Sequence, residues 1–129
     1  MDPVKVLQRA YQDELLDALR AEGAAQGVPY PHVRALLLEV ARRERAHAEA
    51  LAEALRRRGA PLPPTPKPEE GGWETLLRLL SEEGLDRAYY LESTFPDPEL
   101  EALFTRLGQE ERLNQEAVRK AVMLIGGGP

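Results

Sequence analysis

Residues 31–58 read PHVRALLLEVARRERAHAEALAEALRRR. Alternating steps of four and three residues pick out Val33, Leu37, Val40, Glu44, His47, Leu51 and Ala54, the stripe that one face of a helix buries in a bundle. Both ends of the stripe are apolar, and its middle is not. A carboxylate placed in a core is costly unless it is protonated, paired or bound to a metal. Because residues three apart share one helical face, Glu44 and His47 present a carboxylate and an imidazole to the same point in the interior.

Working outward, the same spacing recurs on either side. Residues 3–25 give Leu7, Tyr11, Glu14, Ala18, Ala21 and Ala25, and residues 98–125 give Leu100, Phe104, Leu107, Glu111, Asn114, Val118, Ala121 and Ile125. Each stripe is again apolar except at its middle. Residues 73–94 give Leu76, Leu80, Glu83, Arg87 and Tyr90, with Glu83 at the matching level. Helices are therefore expected over 3–25, 31–58, 73–94 and 98–125. Asp2-Pro3 and Asp97-Pro98 open the first and fourth, an aspartate cap followed by a proline whose missing N–H costs nothing in the first turn. Arg56-Arg57-Arg58-Gly59 closes the second with cations on the negative end of the helix dipole and a glycine suited to the left-handed terminal conformation.

The links at 27–30 and 95–97 are short, which makes each helix pair an antiparallel hairpin. The middle link, residues 59–72, reads GAPLPPTPKPEEGG. In polyproline II at ~3.1 Å per residue it reaches about 43 Å, enough to run back along a second helix of about 40 Å. The expectation is one all-α domain over 1–129, a ferritin-like four-helix bundle with hairpin one at 3–58, a Pro-rich crossover at 59–72 and hairpin two at 73–125.

An internal repeat supports the register. Asp13-Glu14-Leu15-Leu16-Asp17 parallels Glu82-Glu83-Gly84-Leu85-Asp86, and Glu44-Arg45-Ala46-His47-Ala48-Glu49-Ala50 parallels Glu111-Arg112-Leu113-Asn114-Gln115-Glu116-Ala117. The hairpins read as two copies of one unit about a pseudo-two-fold axis. Four inward carboxylates carry four negative charges, which two divalent cations would neutralise.

Composition narrows the chemistry. The 129 residues include no Cys and two His, so a metal must be held by carboxylate and imidazole, and a thiol nucleophile or iron–sulfur cluster is excluded. With 17 Lys+Arg interspersed among 22 Asp+Glu and a net charge of −5, there is no basic stripe for nucleic acid. No signal core or membrane-length apolar run is present, so the expected location is cytoplasmic, with no membrane partner. His32 reads as an exposed turn residue, Tyr11 and Tyr90 as packing residues with a polar tip, and Trp73 as an anchor of the third helix against the crossover. Gly126 to Pro129 reads as a stop and a frayed tail.

With these residues in view, the sequence resembles the rubrerythrin and ferritin-like di-iron carboxylate proteins over nearly its whole length. The stretch Leu38-Glu39-Val40-Ala41-Arg42-Arg43-Glu44-Arg45-Ala46-His47-Ala48-Glu49 is similar to the second helix of rubrerythrin domains. The resemblance implies Glu14 and Glu83 as terminal metal ligands, Glu44 and Glu111 as bridging ligands and His47 as the imidazole on one metal. Asn114 stands where a second histidine is expected and offers only a weak neutral carbonyl donor. Asp86 lies where rubrerythrins carry an extra carboxylate, and Asp17 is its symmetry mate. Asp17 reads either as a partial replacement for the missing histidine or, like Asp86, as a solvated flank residue.

The resemblance further implies iron in a di-iron centre, with manganese or zinc as alternatives, and reduction of peroxide or oxygen. Rubrerythrins usually pass electrons through a rubredoxin-like Cys site, so a chain without Cys needs an external electron donor. Two other readings stay open. One is a metal-free degenerate bundle serving as a structural or interaction module, which Asn114 favours; the other is an oxygenase. A homo-oligomer, most simply a dimer, is expected from hairpin exchange or pairing along Leu15, Leu19, Leu36 and Leu77.

Overall fold

Asp2 Oδ1 accepts from the Val4 amide at 3.0 Å and Asp97 Oδ1 from the Glu99 amide at 2.9 Å, so both aspartates cap helices that begin at the following proline. The computed structural model describes residues 2–67, 78–79 and 88–126. Among them α1 spans Pro3–Gln26, α2 spans Pro31–Arg57, residues 78–79 and 88–92 are the described helical residues of α3, and α4 spans Pro98–Gly126. No strand occurs among the described residues. The architecture is all-α, and the described helix ends lie within two residues of those expected from the sequence; the start of the third helix lies outside the described residues. Trp73, Leu77, Glu83, Asp86, the end of the crossover from residue 68 and the tail from residue 127 lie outside the described residues.

The C-terminus of α2 closes as its sequence requires. Gly59 takes φ +64°, and the amides of Gly59 and Ala60 return to the carbonyls of Arg56 and Leu55 at 3.0 Å each. A side chain at Gly59 would be strained in this left-handed conformation. The arginine run finds carboxylates rather than bulk solvent alone: Arg58 reaches Asp97 at 2.6 Å, joining the end of α2 to the cap of α4, while Arg56 and Arg57 pair with Glu49 and Glu53. In the first hairpin turn the Arg34 guanidinium donates twice to the Val28 carbonyl, at 2.8 and 3.2 Å, replacing partners the turn would otherwise lack.

The crossover lies along α1. Gln8 and Gln12, one helical turn apart, donate side-chain amides to the carbonyls of Pro61 and Pro64 at 3.0 and 3.3 Å. Proline carries no N–H, so its carbonyl is the only backbone group it offers, and these two glutamines take it. The chain thus climbs from the base of α2 along α1 towards hairpin two.

Two apolar clusters fill the bundle. Ala21, Ala24, Val33, Leu37, Val40, Leu79, Val118 and Ala121 form one. Leu7, Leu51, Leu55, Tyr90, Phe95, Leu100, Phe104 and Leu107 form the other, with Phe104 edge-on to Phe95 and Tyr90 at 4.7 and 5.0 Å between ring centroids. Helix α3 crosses α4 closely at Gly108, where a Cβ would come within 2.8 Å of the Leu91 side chain. Between the two clusters lies a buried polar layer. Leu15, Leu19 and Leu36 are half-buried, and His32 is exposed.

Candidate metal centre

The polar residues at the middle of the α1, α2 and α4 stripes read from the sequence point inward. Glu14, Glu44, Glu111 and Asn114 are fully buried, and His47 and Asp17 are 2% exposed. α1, α2 and α4 each deliver their polar residue at mid-height because the flanking stripe positions are drawn into the two apolar clusters. The side chain between them has no choice but the interior.

Three of these residues converge. His47 Nδ1 lies 3.0 Å from Glu111 Oε1 and 3.5 Å from Glu14 Oε2, and one donor atom from each of Glu14, His47 and Glu111 falls within 4.8 Å of the others. Glu14 Oε2 takes no hydrogen bond among the described residues, whereas Glu14 Oε1 accepts from the Tyr90 hydroxyl at 2.7 Å. The other ring nitrogen, His47 Nε2, meets Glu110 Oε1 at 2.9 Å. A carboxylate on Nε2–H fixes the tautomer, which turns the Nδ1 lone pair inward when the ring is neutral.

The protonation states follow from this crowding. Burial holds the Glu14 carboxyl well above its usual range, and the neighbouring charge of Glu111 pushes the same way. Burial disfavours the His47 cation, but the carboxylates of Glu111 and Glu14 outweigh it and raise the imidazole to about 10. Without a metal, protons hold the cluster together.

The matching position on α4 has different company. Asn114 Oδ1 accepts from Arg43 Nη1 at 2.5 Å, a contact from α2 across to α4. The Arg43 side chain is 18% exposed and also approaches Glu39 at 3.5 Å. Asn114 Nδ2 is buried with no hydrogen-bond acceptor among the described residues. Asp17 lies against Arg20, itself 7% exposed, with 3.5 Å between Oδ1 and Nη1. Glu83 and Asp86 fall outside the described residues.

Two contributors, Glu110 and Arg43, carry no role in the sequence reading, and a third, Tyr90, carries a different one. Glu110 sits beside a stripe residue and is 39% exposed, so periodicity places it on the rim. Arg43 is its counterpart: extending the repeat one residue towards the N-terminus aligns Arg43-Glu44 with Glu110-Glu111, which is the signal that would have found both. Tyr90 was read as packing, and its ring does pack on Phe104, but its hydroxyl also reaches the centre.

The family model described as Rubrerythrin matches residues 5–122. The chain belongs to the rubrerythrin family. No curated protein and no solved structure matches it. Its fold is accordingly the ferritin-like, all-α bundle, and no helix among its described residues is long and apolar enough to cross a membrane.

The residues of this rubrerythrin-family chain fit a divalent metal ion. Two carboxylates and an imidazole form a hard-to-borderline donor set suited to iron, manganese or zinc, and the buried Glu14 Oε2 is a lone pair that an ion beside His47 Nδ1 would use. Glu14, His47 and Glu111 would hold it, with the fully buried Glu44 one turn before His47. Tyr90 and Glu110 then act as positioning residues, fixing Glu14 and the His47 ring. A bound redox metal would supply one-electron chemistry in a site closed to bulk water; the chain supplies its ligands and takes up or releases the protons that metal binding exchanges.

Proposed function

We propose that this is a non-haem iron protein that reduces peroxide or dioxygen with electrons from an external donor. The observation that supports it is the buried convergence of Glu14, His47 and Glu111 at one point of a rubrerythrin-family bundle. Peroxide reduction balances as one peroxide, two electrons and two protons giving two waters. These 129 residues hold no Cys to store or relay those electrons, so the donor lies outside them. The centre lies between two apolar clusters, which keeps water out and makes each electrostatic contact to a ligand count for more.

The rival reading is a metal-free structural bundle. It draws support from the Tyr90–Glu14 and Glu110–His47–Glu111 contacts, which hold the layer together by hydrogen bonding alone. Loading the protein with ferrous iron without oxygen, then adding peroxide and a one-electron donor, separates the two. The proposal expects iron retention near one per chain or above, donor oxidation at two electrons per peroxide, and loss of both in His47→Ala. Iron below about one per chain in the wild type, unchanged by His47→Ala, would overturn it.

A further inference from the structure

We propose that the pseudo-symmetric centre is built for a single metal ion, held by Glu14, His47 and Glu111, and that the Arg43 guanidinium, on the outer side of Asn114, is a fixed cation in the half where a paired site would hold the second. This rests on the metal-binding reading above and concerns how many ions the chain accepts.

The repeat equates Glu44 with Glu111 and His47 with Asn114, and one residue earlier it equates Arg43 with Glu110. Each of those earlier residues reaches across to the opposite helix and contacts the residue three places after the opposing glutamate. Glu110 meets His47 Nε2 at 2.9 Å, and Arg43 meets Asn114 Oδ1 at 2.5 Å. The same scaffold contact is thus made twice, once as carboxylate to imidazole and once as guanidinium to amide. In the first pairing the outer acceptor leaves an inward nitrogen lone pair. In the second the outer donor does the opposite.

Arginine has only donors, so the Asn114 amide must turn its oxygen to Arg43, and the rest of its polar edge is the Nδ2 amino group. That group is buried with no acceptor among the described residues. A metal ion beside Asn114 would therefore meet amide hydrogens and a guanidinium, both of which repel it. Among the described residues Glu14, Glu44 and Glu111 are the fully buried carboxylates, and one divalent ion plus Arg43 supplies three positive charges to match them.

The test is an equilibrium titration of the metal-free full chain with Co(II), reading bound metal by elemental analysis and magnetic coupling by electron paramagnetic resonance. Wild type is expected to saturate at about one Co(II) per chain with the signal of an isolated ion. The double variant Arg43→Gln/Asn114→His restores an imidazole and removes the cation; it should bind about two, with the signal attenuated by coupling. Wild-type saturation at two coupled ions overturns the inference while leaving the metal-binding reading intact. So does a double variant of wild-type helicity that still binds one. Wild-type binding of none overturns both. The wild-type stoichiometry decides the matter even if the double variant does not fold.

Discussion

His47 and Asn114 occupy equivalent places on equivalent helices, yet one sits in a negative environment and the other in a positive one. Around His47 are Glu111, Glu14 and Glu110 within 3.5 Å; against Asn114 is the Arg43 guanidinium. The apolar stripes on both sides are alike, so helix packing alone does not choose between the two arrangements. One residue per half, preceding the buried glutamate, makes the choice by deciding whether the neighbouring polar group faces an acceptor or a donor. A duplicated scaffold can in this way carry one reactive half and one electrostatically fixed half.

The largest effect that separates the halves is expected from deleting each central side chain in the metal-free protein. His47→Leu leaves Glu14 and Glu111 buried without their cation and should cost about 3–5 kcal/mol in denaturant unfolding. Asn114→Leu frees an arginine that is already partly exposed and close to Glu39, so the cost should be about 1 kcal/mol. Equal costs would break the comparison.

Acidity separates the metal-free and loaded forms next. His47 is raised to about 10 from an unfolded value of 6.5, so its contribution is fully present below pH 6.5 and is lost as pH rises towards 10. Glu14 is also raised and also binds its proton more tightly when folded, so it adds to the same trend from acid pH upward. The Tm of the metal-free protein should fall with rising pH, an effect of a few kcal/mol at most. Metal affinity should rise over the same range, because binding displaces those protons. Calorimetry of both forms between pH 6 and 10 would show the two opposite slopes; parallel slopes would count against the assignment.

A smaller effect should come from the outer residues. Glu110→Gln removes the carboxylate that orients His47 and should weaken metal binding by about 10–100-fold, while Arg43→Gln should leave the affinity of the His47 half within about threefold. Isothermal titration with Mn(II) measures both. Tyr90→Phe leaves one buried Glu14 oxygen without its donor and should lower the stability of the metal-free protein by about 1–2 kcal/mol in denaturant unfolding.

Much of this centre was legible in the sequence for a simple reason. Helical periodicity is a strong signal when polar residues interrupt long apolar stripes, so Glu14, Glu44, His47, Glu111 and Asn114 were all placed inside, where they are. The aspartate caps and Gly59 were equally plain because each answers a local backbone need. What periodicity could not show is which rim side chain folds inward: Arg43 and Glu110 are long enough to reach either solvent or the core, and only the facing helix settles it. Asp17 was open between ligand and solvated flank, and it is buried beside Arg20. The Arg20 partner gave no sequence signal, since three-residue Asp–Arg spacing is common on exposed faces.

The contrast between the two halves is tested most directly by anomalous diffraction at the iron edge from crystals grown from iron-loaded protein. One peak is expected, within bonding distance of His47 Nδ1, Glu14 and Glu111, with Arg43 still on Asn114. A second peak of comparable height beside Asn114, or no peak beside His47, would contradict it.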